Sequence, residues 1–199
     1  MRVSLHFRHL IVAGLALGLA VTPALAYKLI TKGAAVVAGK SITVTPGCDW
    51  NRIGFVHGKI AESWTLDGLA LNDVTFYGGI PADTVLIRET NKKDKPLPRF
   101  SPTMLAPDVA QLFEGSYRLA KGTSLFSIDS VEPAQFAGRP GFRFAYTFTV
   151  QNEEVKRKGE ATGAIVGGKL YMITFEAPVI HYFDRDAPQY RAIVDSAKI

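Results

Sequence analysis

Three groups of residues in this chain carry side chains suited to chemistry or recognition. The first is Cys48 with His57 and His181. A thiol and two imidazoles can ligate zinc, and a thiol beside an imidazole can form a nucleophilic pair. Their spacing matches neither arrangement. The histidines lie far apart along the chain, and no second cysteine accompanies Cys48. Cys48 therefore reads as a small buried hydrophobe, and no intrachain disulfide can form. His181 reads as an ordinary, partly buried residue after a strand.

The second group is Asp49, Trp50, Asn51 and Arg52 together with Trp64 and Asp67. Both tryptophans of the chain fall here, in its least regular part. Indole offers area and one donor, and the neighbouring carboxylate, amide and guanidinium groups set orientation, so these six residues form the candidate recognition surface. In the alternative reading the two rings plug the end of a sheet. The third group is His181, Tyr182, Phe183, Asp184 and Arg185. Between a strand and a helix it can line a pocket mouth; alternatively Tyr182 and Phe183 anchor the loop and Asp184 stabilises the helix start. Glu153 and Glu154 read as a solvated turn.

Several chemistries lack their motifs. There is no Gly-x-Ser-x-Gly nucleophile elbow, no phosphate loop ending in Gly-Lys-Ser/Thr and no dinucleotide-binding glycine fingerprint. No catalytic, cofactor-binding or metal-ligating residue is therefore assigned, and no cofactor is expected.

The elements that must position these groups follow from periodicity. Val36 to Thr45 reads as one strand, with Leu71 to Tyr77 and Thr84 to Arg88 as two more. Asn91 to Pro98 is polar and lysine-rich, an exposed connection or a basic docking strip. A helix should begin near Pro107 and end at Gly122, with Val109, Leu112, Phe113 and Tyr117 on one face. Phe142, Phe144, Tyr146, Phe148 and Val150 alternate with smaller or polar residues, a strand with one aromatic face. Val155 to Val166 and Lys169 to Ala177 form a hairpin about Gly167 and Gly168. A last amphipathic helix should start near Pro188. The fold class expected is α+β: an antiparallel meander packed against a central helix and a C-terminal amphipathic helix. Phe144, Tyr146, Phe148, Ile173 and Ile193 are expected to be buried together between sheet and terminal helix.

The stretch from Arg157 to Ala177, with its basic strand, glycine hairpin and Lys-Leu-Tyr, and the later Tyr190 to Ala197 resemble the PsbP-like fold. That group includes extrinsic photosystem II subunits and many bacterial exported proteins. The resemblance spans roughly residues 107 to 199. The whole chain, with Trp50-Asn51 and the Trp64 to Gly68 stretch, is more similar to exported proteobacterial proteins of unknown function. PsbP-like proteins share an architecture rather than an active site, so the resemblance transfers no functional residue.

The N-terminal residues indicate a compartment. Arg2 and Arg8 precede an apolar run from Leu10 to Val21, then Thr22, Pro23 and the triplet Ala24-Leu25-Ala26. This is the order of a signal peptide cleaved after Ala26, too short and too interrupted for a membrane span. The expectation is a periplasmic or secreted protein, Tyr27 to Ile199, forming a single α+β domain with residues 27–35 flexible. Cys48 lies too far downstream to be a lipoprotein cysteine. The formal charge is +5, two units of it in the leader, which is mildly basic. Nucleic acid is not expected as a partner. The expected role is a non-catalytic module binding an unknown protein or envelope component. The alternatives are a carrier for a small apolar ligand and a hydrolase with an unrecognised site.

Overall fold

The computed structural model describes residues 27–53, 60–123, 125–150 and 153–199. The expected leader and His57 lie outside the described residues.

The aromatic alternation after residue 140 sets the architecture. Phe142, Phe144, Tyr146 and Phe148 all fall on one face of β8 (Arg139–Thr149), and all are buried. β8 pairs with β7 (Leu125–Phe136) on one side and β9 (Lys156–Val166) on the other. β9 turns at Gly167 and Gly168, both at positive φ, into β10 (Lys169–Pro178). The sheet continues through β6 (Asp73–Ile80), β5 (Ala61–Thr65), β4 (Trp50–Ile53) and β1 (Lys28–Ile30). All neighbours are antiparallel, in the order β1-β4-β5-β6-β10-β9-β8-β7.

Among the described residues, each face of this sheet carries one helix. α1 (Ala106–Lys121) begins with Pro107 in its first turn, and the Leu105 N–H donates to the Asp108 carboxylate at 2.8 Å. It ends at Gly122 in the left-handed conformation, φ 62°, as the glycine there predicts. Its Val109, Leu112, Phe113 and Tyr117 pack on the aromatic face of β8 and on Tyr77, Ala161 and Met172. α2 (Tyr182–Asp195) covers the opposite face, where Phe183, Tyr190 and Ile193 meet Val74, Phe76, Ile173 and Phe175. The α+β class and the two packed helices are as expected.

The details differ in four places. The five residues expected in one core divide between two. Phe144, Tyr146 and Phe148 lie under α1, while Ile173 and Ile193 lie under α2, because the register of β10 turns Ile173 to the other face. The strand expected over 36–45 is a separate hairpin, β2 (Ala35–Val37) and β3 (Ile42–Val44), since Ala38, Gly39 and Lys40 all take positive φ. Residues 84–88 form no strand. α2 starts a turn and a half before Pro188, held by Phe183, whose ring packs tilted 5.4 Å from that of Phe175, and by buried Asp186.

Candidate functional site

Directly opposite each other on β6 and β10 stand two carboxylates, Asp73 and Glu176. Alternation along both strands places them on the α1 side. Farther along the same rows lie Thr75 and Tyr77 on β6, and Thr174 and Met172 on β10. The apolar core under α1 thus gives way to a polar layer toward this end of the sheet.

Each carboxylate has defined partners. The Tyr117 hydroxyl donates to Glu176 at 2.7 Å, and the Lys121 ammonium bonds its other oxygen at 3.1 Å. That ammonium also sits 4.3 Å from the Tyr117 ring centre. Thr75 donates to Asp73 at 2.9 Å, and the Ser63 hydroxyl lies 2.6 Å from that of Thr75. From β9, Arg157 donates to the Ala70 carbonyl at 2.5 Å and lies 3.8 Å from Glu153.

Burial pushes the Asp73 carboxyl up to about 7, and the Glu176 charge adds to the rise. Lys121, the Thr75 hydroxyl and Arg157 act against it. The phenols of Tyr77, Tyr117 and Tyr146 are raised chiefly by burial, with Glu176 contributing to each. The Tyr146 hydroxyl is buried and has no hydrogen-bond partner among the described residues.

Of these groups Glu176, Lys121 and Arg157 border a cleft of about 660 Å³, and Asp73 lies behind Glu176 outside its lining. Leu69, Leu71, Phe148, Val150, Val155, Pro178 and Ile180 supply its apolar walls. Lys121, Arg157, Glu176, Glu153, Glu154 and Tyr182 supply its polar atoms. Among the described residues, the lining contains no serine, threonine, cysteine or histidine. Glu176 is already engaged by a phenol and an ammonium. The arrangement is suited to holding an apolar molecule over a charged floor.

The residues singled out from the sequence lie mostly elsewhere. Trp50 and Trp64 are both 0% exposed in the core under α2, so neither indole presents a surface. Their rings are 6.4 Å apart, and Trp64 meets Phe76 edge-on at 4.7 Å. The Trp64 N–H donates to Glu62 at 2.9 Å, and Arg52 pairs with Glu62 at 3.2 Å. Asn51 donates to the Leu66 carbonyl, and Asp49 accepts from the Lys32 N–H. Asp67 accepts from Asn72 at 3.1 Å and forms an ion pair with Arg185. The six are therefore tied into the fold: the two rings are core, and each polar side chain bonds a neighbouring segment. The reading in which the tryptophans plug the sheet matches this placement.

Cys48 is a free, half-buried thiol raised by burial and by the Asp49 and Asp186 charges. His181 is exposed at the start of α2 with φ 71°, and its ring lies 5.2 Å from that of Tyr182. No three His, Cys, Asp or Glu residues cluster as metal ligands among the described residues. Of the loop read as a pocket mouth, Tyr182 does line the cleft.

No protein-family model matches the chain, and a search of curated proteins gives no match. Solved structures do match. Cyanobacterial PsbP (CyanoP) from Synechocystis sp. PCC 6803 is 14% identical with a TM-score of 0.55, covering 92% of this chain and 98% of that one. The Ran-binding protein Mog1p of Saccharomyces cerevisiae is 9% identical with a TM-score of 0.46, covering 88% and 96%. The likeness to CyanoP shows that the fold is PsbP-like, as the hairpin and closing helix suggested. At that identity it shows the fold alone.

Proposed function

We propose that this protein is a non-catalytic binding module whose ligand is a small, mainly apolar molecule held in the cleft beside Glu176. The apolar character of the 660 Å³ cleft carries this reading. Among the described residues the lining holds no serine, threonine, cysteine or histidine, and its Glu176 is already paired with Lys121 and Tyr117, which favours binding over hydrolysis.

The dye N-phenyl-1-naphthylamine is uncharged at neutral pH and fluoresces on leaving water. It should bind saturably. Ile180 is 81% exposed, so Ile180→Asp should leave the fold intact while placing a charge on the cleft wall. That variant and Leu69→Asp should each weaken dye binding about tenfold, with unchanged melting. Equal binding by both folded variants would remove the cleft from consideration.

The order of charges, apolar run and Ala-Leu-Ala at the N-terminus supports export, with periplasmic or secreted Tyr27–Ile199 as the working form. The N-terminal mass of the isolated protein tests this, and an intact Met1 would overturn it. No helix among the described residues is long and apolar enough to cross a membrane.

A further inference from the structure

We propose that the Asp73–Glu176 pair makes binding in the cleft proton-linked: an uncharged ligand enters as Asp73 takes a proton from solvent, and leaves as Asp73 gives it back. The inference rests on the cleft being the binding site. It goes beyond that reading in stating the charge class of the ligand and the condition for its release.

The geometry supplies the link. Glu176 lines the cleft, and Asp73 faces it directly across the β6–β10 ladder. Two carboxylates so placed repel when both are ionised, and water in the open cleft, which reaches the pair at Glu176, screens that repulsion. An apolar ligand covering the floor displaces the water. The doubly ionised pair then loses solvation, while the singly protonated pair loses much less. Covering the cleft therefore favours proton uptake, and by reciprocity a bound proton favours the ligand.

The other groups around the pair do not reverse this sign. Lys121 on α1 and Arg157 on β9 contribute positive charge, and Arg157 is itself near Glu153. Tyr117 on α1, Tyr77 on β6 and Tyr146 on β8 have raised phenols and stay neutral through the neutral range. Thr75 donates to Asp73 and favours its ionised form. With Asp73 raised to about 7, the change falls near neutrality.

The test measures N-phenyl-1-naphthylamine affinity for the full chain from about pH 5.5 to about pH 8.5, a range in which the dye itself stays uncharged. Affinity should fall at least about threefold as pH rises, with its midpoint near that of Asp73. Asp73→Asn should show the same affinity throughout. Thr75→Val removes a donor to the ionised form, so its midpoint should move to higher pH; it also serves if Asp73→Asn does not fold. Melting curves of each variant over the same range report whether the pair titrates in the folded protein. A flat affinity profile with dye still bound overturns the linkage alone. Absence of dye binding at every pH overturns both the cleft reading and the linkage.

Discussion

Tyr146 and Gly159 show how closely single residues are fitted here. They are direct partners across β8 and β9, and the Tyr146 ring lies over the glycine. A Cβ on Gly159 would fall 2.1 Å from the ring. The ring cannot retreat easily, since it stacks 5.3 Å from Phe126 and meets the tilted ring of Phe113 at 5.0 Å. Gly159→Ala should therefore cost about 1–3 kcal/mol in chemical denaturation, the usual range for forced overpacking. Tyr146→Phe deletes a buried hydroxyl that has no partner among the described residues, so it should change stability by less than about 1 kcal/mol. A larger loss in Tyr146→Phe would mean that the hydroxyl is bonded in solution. The sequence showed Tyr146 as one of a row of aromatics but gave no sign that Gly159 makes room for it. Nor did it reveal the Asp73–Glu176 pair. Those carboxylates lie far apart in the chain and meet only through strand register, which local periodicity does not encode.

At the scale of elements, legibility follows how local the causes are. α1 was readable because its apolar stripe, early proline and terminal glycine all lie within the segment. The β9–β10 hairpin was readable from its two glycines for the same reason. The start of α2 was not, because tertiary contacts set it. Pro188 suits a first helical turn, yet it stands inside this helix. The turns before it are anchored by Asp186, which accepts from the buried Asn72 amide at 2.9 Å and from Arg185. Asn72 also accepts from the Leu66 N–H at 2.7 Å, so one network ties α2 to the loop between β5 and β6. Asp186→Ala would weaken this anchor and leave the buried Asn72 amide with one partner fewer. It should cost about 1–3 kcal/mol and lower helical ellipticity before global unfolding. A stability change within about 0.5 kcal/mol would show that the packing of Phe183 alone sets the helix start.

For the whole molecule, one sheet is shared by two cores. β10 sends Met172 to the α1 side and Ile173 and Phe175 to the α2 side, so neither core can lose this strand without exposing the other. The C-terminus adds a further tie, with the Thr43 and Lys198 backbones exchanging hydrogen bonds at 2.9 Å. These shared supports underlie our proposal that residues 27–199 form one cooperative domain. The chain contains its own probe of the question. Both tryptophans lie in the core under α2, so their emission reports that face, whereas far-UV ellipticity reports the helices and strands of both. Under guanidinium denaturation the two signals should follow one coincident transition. Tryptophan emission shifting at clearly lower denaturant than ellipticity would mean that the α2 face opens first and that the faces are separate cooperative units. Coincidence would also make the effects of Gly159→Ala, under α1, and Asp186→Ala, on α2, close to additive in the double variant, because among the described residues the two sites share no hydrogen-bond partner or network within one cooperative transition.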